Sequence, residues 1–156
     1  MSNRDYAHGE GHVLIQLLDD KGEEVSRREG RNTVVQNGMG MLARRIWSSP
    51  NTGGSPRRVM YMELGKGGAA AATNQTDLVT ALGTPDPRDI ATATQLASTV
   101  GRTVQWVHTW TAKQFSGTGI EEVGLFNSPT TTKGTLFARF VFTTVYKNVL
   151  TCRKAA

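Results

Sequence analysis

One extended run near the C-terminal end constrains the fold of this chain more than any other feature. Residues 135–142 read Thr-Leu-Phe-Ala-Arg-Phe-Val-Phe. On a β-strand, Leu136, Ala138, Phe140 and Phe142 share one face, and Phe137, Arg139 and Val141 share the other. A strand that is apolar on both faces needs cover on both. The expected cover is the chain's own core on one side and a neighbouring subunit on the other. Phe137, Arg139, Val141 and Val145 are therefore the expected subunit interface.

A second run, Ile120–Phe126, precedes it across a loop of Asn, Ser, Pro, Thr, Lys and Gly, the composition of an antiparallel connection. The adjacent Glu121 and Glu122 then point to opposite faces, so they cannot act together as a carboxylate pair. One of them is expected to be buried, where it needs a cationic partner. Arg139 on the next strand supplies one, which predicts a structural latch among Glu121, Glu122 and Arg139.

The rest of the chain reads as mainly β, an antiparallel β-sandwich with one amphipathic α-helix near residues 33–48 and extended arms or loops. Residues 1–10 are polar and aperiodic, an expected N-terminal arm. Residues 11–156 form one expected sandwich domain with a long loop at 83–101. His12–Leu18 and a strand around Glu23–Arg28 flank Asp19-Asp20-Lys21-Gly22, a hairpin with Gly22 in the positive-φ position. Val35, Met39, Leu42 and Ile46 fall on one helical stripe, with Asn32 or Thr33 as its cap. Gly38 and Gly40 weaken the first half of that helix.

Val59–Leu64 has strand character, and a short helix is expected from Thr76-Asp77 through Leu82. Arg102–Lys113 alternates most clearly, with Val104, Trp106, His108, Trp110 and Ala112 on one face. Asn148–Cys152 reads as a last short strand. The expected core consists of Trp106, Trp110, Leu125, Phe126, Phe140 and Phe142. A sugar-binding or subunit-contact platform is the competing reading of the two tryptophans.

Catalytic chemistry finds little support. Gly65-Lys66-Gly67-Gly68 lacks the Ser or Thr and the following helix of a phosphate loop, and reads as a turn. Gly38-Met39-Gly40 lacks the third glycine of a dinucleotide fingerprint. His8, His12 and His108 have no metal-ligand spacing, so no metal, cofactor or catalytic residue is expected. A single Cys152 excludes an intrachain disulfide; it is a packing residue of the last strand or an intersubunit disulfide partner.

No run approaches the ~20 apolar residues of a membrane span, and no apolar segment follows the charged N-terminus as in a signal peptide. The formal charge is +5, and twelve of the eighteen cationic residues are arginines. They cluster at Arg27, Arg28 and Arg31, at Arg44 and Arg45, and at Arg57 and Arg58. A basic balance suits an acidic protein neighbour or nucleic acid. The clusters are not interleaved with stacking aromatics, and no nucleic-acid-binding motif is found.

Four segments together resemble a known pattern. They are Met62-Glu63-Leu64-Gly65-Lys66-Gly67, Gln75-Thr76-Asp77-Leu78 with Leu82, Ile120-Glu121-Glu122-Val123-Gly124-Leu125-Phe126, and Gly134-Thr135-Leu136-Phe137-Ala138-Arg139. With the Asn32-Thr33-Val34-Val35 entry to the helix, they resemble small virion proteins of tailed bacteriophages, including the tail-collar fibre type. The similarity covers roughly residues 30–150. The segment Gly124-Leu125-Phe126 is its most specific part. Collar-fibre modules begin a long fibre, whereas this chain is expected to be one domain.

The resemblance implies a non-enzymatic structural subunit, a symmetric homo-oligomer at the neck, collar or tail, made in the host cytoplasm and residing in the virion beside other virion proteins. The alternatives are a capsid decoration protein that cements the head and, from another class, a basic nucleic-acid-binding domain.

Overall fold

A computed structural model describes residues 11–47, 58–83, 88–90, 92–97, 102–111, 114–130 and 134–146. The expected arm at 1–10, the expected strand Asn148–Cys152 and Cys152 itself lie outside the described residues. The fold is mainly β, an antiparallel curled sheet with one helix. In chain order the elements are β1 (Gly11–Leu18), β2 (Glu24–Val34), α1 (Gln36–Trp47), β3 (Tyr61–Gly65), β4 (Asp89–Ile90), β5 (Thr92–Ala97), β6 (Arg102–Val107), β7 (Gly119–Phe126) and β8 (Leu136–Tyr146). Six strands make one sheet in the order β1-β2-β8-β7-β3-β4, and β5 and β6 form a separate two-stranded ribbon.

The hairpin of β1 and β2 forms where the alternation and the turn place it. Gly22 has φ 83°, and the Asp19 carboxylate accepts from the amides of Lys21 and Glu23 at 2.9 and 2.8 Å. Side chains alternate along β1, with Val13, Ile15 and Leu17 half-buried and His12, Leu14, Gln16 and Leu18 exposed. The inward row packs on a cluster of Leu64, Ile120, Val123, Phe140, Phe142 and Val145. Gly30 lets Phe140 approach the hairpin, since a Cβ there would lie 2.8 Å from the ring.

Two of the four expected interface residues on β8 are buried within their own chain. Arg139 is 0% exposed and Val145 belongs to the core, while Phe137 and Val141 are half-buried. Perfect alternation also fails along β8. Pairing with β7 slips between Leu125 and Phe126, so that Phe126 faces Leu136 with Phe137 as the extra residue. The slip moves Leu136 off the face of Ala138 and Phe140. Leu136 joins a second cluster with Val35, Leu78 and Phe126. A second slip sets Ile120 opposite Val145, and both join the first cluster.

The helix begins at Gln36 and includes both glycines that the sequence reading counts against it. Among its described side chains Gly38 and Met41 are buried, following Val35 just before the helix; of the expected stripe Val35 is buried, Met39 half-buried and Leu42 41% exposed, and the side chain of Ile46 lies outside those described. The reason is close approach. The Phe137 carbonyl occupies the place a Cβ on Gly38 would take, and it accepts from the Val35 amide at 3.1 Å. The helix therefore packs on β8 through its glycine. Asn32 and Thr33, the expected caps, lie within β2.

Two other expectations fail. Residues 76–82 form no helix; the Lys66 amide donates to the Thr80 carbonyl and the Leu82 amide to the Leu64 carbonyl, and Ala81 bridges Gly65. The expected loop at 83–101 contains β4 and β5, and β5 pairs with β6 from Thr92↔Val107 to Ala97↔Arg102. Its weak pattern of small and β-branched residues suited a ribbon, not an arm.

Candidate functional site

Strands β3, β7 and β8 put different chemistry on their two faces. Directly paired residues point the same way, so Met62, Leu64, Val123, Leu125, Ala138 and Phe140 share the face under the hairpin. The opposite face carries Glu63, Glu122, Gly124, Phe126 and Arg139. Residues 66–82 lie across that second face.

At its centre Arg139 Nε donates to Glu122 Oε2 at 2.6 Å, and both side chains are 0% exposed. The other hydrogen bonds of the pair run to the covering segment. Glu122 Oε1 accepts from the amides of Gly67 at 3.0 Å and Thr80 at 2.9 Å, and Oε2 accepts from Val79 at 3.2 Å. Arg139 donates to the Gly67 carbonyl at 2.7 Å, the Gln75 Oε1 at 3.0 Å and the Ala70 carbonyl at 3.4 Å. Gly65 and Gly67 are required here, because a Cβ at either would fall on the Glu122 carboxylate.

A second pair lies beside the first. Arg88 Nε donates to Glu63 Oε2 at 2.7 Å, and the two side chains are 2% and 1% exposed. Arg88 also reaches Asp77 Oδ1 at 3.1 Å and the Thr130 carbonyl at 2.9 Å, and its guanidinium sits 3.4 Å above the centre of the Phe126 ring. Its backbone amide donates to the Pro129 carbonyl. Burial pushes the Glu63 carboxyl above the ordinary carboxylate range, opposed by the hydrogen bond and the charge of Arg88. Two ion pairs are thus buried side by side, each cation on its own carboxylate, and Glu63 Oε1 is buried with no hydrogen-bond partner among the described residues.

Of the expected latch residues, the structure brings Glu122 and Arg139 together and leaves Glu121 out; Glu121 is half-buried and accepts from Thr144 Oγ1 at 2.7 Å. Of the expected core, Leu125, Phe126, Phe140 and Phe142 are buried. Trp106 and Trp110 are half-buried instead. Trp106 donates its indole N–H to the Val59 carbonyl at 2.7 Å and meets Phe137 ring to ring at 6.2 Å, fastening the β5–β6 ribbon to the main sheet. Trp110 packs edge-on against His108 at 4.7 Å.

The sequence reading missed Arg88, Glu63 and Asp77. A charged residue at a core-facing strand position, Glu63 between Met62 and Leu64, is the signal that could have found them. On β2, Arg27 pairs with Glu29 at 2.8 Å at the surface and Arg28 bonds Ser26 Oγ. Among the described residues no group of three or more His, Cys, Asp or Glu could hold a metal ion. No described helix is long and apolar enough to cross a membrane. No protein-family model, curated protein or solved structure matches the chain.

Proposed function

We propose that this chain is a non-enzymatic structural subunit of a tailed-phage virion, assembling as a symmetric oligomer at the neck, collar or tail beside other virion proteins. The resemblance of its Gly-Leu-Phe and Gly-Thr-Leu-Phe-Ala-Arg strands motivates the virion assignment. One observation carries the assembly reading. Apolar side chains stand exposed on both hairpins, with Leu14, Leu18 and Val25 on β1–β2 and Val104 and Val107 on β5–β6. Exposed apolar surface of this kind suits contacts with neighbours.

The finer architecture in this reading is a β-sandwich, with the hairpin as one layer and β3, β7 and β8 as the other. Packing of Val13, Ile15 and Leu17 against the cluster around Val123 and Phe140 supports it. The nucleic-acid alternative loses ground because Arg27 is engaged by Glu24 and Glu29 on its own strand.

Particles purified from the source and probed with gold-labelled antibody to the chain test the assignment. Label at the neck, collar or tail is the expected result. Label over the head identifies a decoration protein, and particles free of the chain refute a virion role altogether.

A further inference from the structure

The two edges of the main sheet are built differently. At one end the described part of β4 is two residues, Asp89–Ile90. At the other, β1 runs for eight residues as Gly-His-Val-Leu-Ile-Gln-Leu-Leu. It contains no Lys, Arg, Asp, Glu or Pro. Its one pairing irregularity falls at its last residue, where the extra residue belongs to β2. The strand itself thus carries neither the charges nor the proline that usually blunt an edge, and no described helix or strand covers it.

The backbone of that edge is oriented for pairing. The Asp19 amide donates to the Glu23 carbonyl, toward β2. Peptide groups alternate along a strand, so those of His12, Leu14, Gln16 and Leu18 point to the other side. Among the described residues no strand pairs there. Leu14 and Leu18, each 49% exposed, flank this row.

We propose that β1 pairs antiparallel with β1 of a second copy of this chain across a two-fold axis, joining two six-stranded sheets into one. The inference rests on the assembly reading above and names the surface and partner. Charge selects the occupant. The chain as a whole carries +5 and repels its own kind. Along β1 only His12 is titratable, so two copies can meet there without like charges opposed. A basic or acidic partner strand gains nothing from such an edge. Antiparallel pairing also keeps Val13, Ile15 and Leu17 of both copies on one face, extending the buried row across the junction.

Sedimentation equilibrium on the full chain, with Leu14→Lys and Gln16→Pro beside it, tests the proposal. The proline removes an outward-facing amide and leaves the bonds to β2 in place. Expected are twice the chain mass for the parent and the single-chain mass for both variants, with unchanged circular dichroism. If Leu14→Lys does not fold, Gln16→Pro and hydrogen exchange decide. The Leu14 and Gln16 amides should become protected only as the parent concentration rises. A monomeric parent, a dimer that persists in the folded variants, or edge amides protected at every dilution overturns the pairing. Virion labelling is read separately. A chain that dimerises but is absent from particles refutes the virion role alone, and a monomer found in particles refutes the edge alone.

Discussion

Strands β3, β7 and β8 bury two faces by opposite means. Under the hairpin lies a cluster of Leu64, Ile120, Val123, Phe140, Phe142 and Val145, held by the removal of apolar surface from water. Under residues 66–82, beside a smaller apolar cluster of Val35, Leu78, Phe126 and Leu136, lie Arg139, Glu122, Arg88 and Glu63, held by directed bonds to named atoms. The apolar face is non-directional, so neighbours can share the loss of one side chain. The ionic face has no such slack: removing one partner strands a buried charge. A core of this second kind fixes where a covering segment sits more than how tightly it sits.

Breaking the ionic face should therefore have the largest effect. Arg139→Met leaves Glu122 buried without its cation and is expected to cost about 3–5 kcal/mol in urea unfolding. In a double-mutant cycle with Glu122→Gln the two changes should couple strongly, and additivity would dissolve the contrast between the faces. Phe140→Ala is expected to cost toward the low end of about 3–5 kcal/mol, since neighbouring Phe142, stacked at 5.6 Å, can relax into the space. A Phe140 loss exceeding that of Arg139 would invert the comparison. Ile120→Val should cost only about 0.5–1.5 kcal/mol on the same assay.

Glu63 sharpens the contrast through pH. Its carboxyl titrates above its unfolded value because burial penalises the charge. A raised folded pKa means that the group favours folding at low pH and that this contribution is lost as pH rises through the folded pKa. The melting temperature of the parent relative to Glu63→Gln should accordingly fall between acidic and neutral pH, and a constant difference would show that Arg88 cancels the burial. The smallest effect is expected at the surface, where Arg27→Ala should leave the melting temperature unchanged.

Part of the first face was legible in the sequence, because period-two alternation marks β1 and the Ala138, Phe140 and Phe142 row of β8 directly. The Glu122–Arg139 pair was legible for the same reason, since two neighbouring strands each placed a charge among apolar residues. The helix face was not. Its buried row is set by Gly38 against a backbone carbonyl, and hydrophobic spacing carries no information about a contact made by an absent side chain. The role of Arg88 was hidden because it lies two residues from Pro-Asp in a stretch with no periodicity. The register slip at Phe137 was invisible too, and it alone sends Leu136 to the opposite side from Ala138.

The fastening of residues 66–82 has a bearing on biosynthesis. Thr80 and Gly67 are held by Glu122 and Arg139, which follow them in the chain by 42 and 72 residues. On a ribosome the earlier segment emerges well before the side chains that hold it exist. It must wait, open to chaperones and proteases, until translation has passed Arg139, and only then can it close.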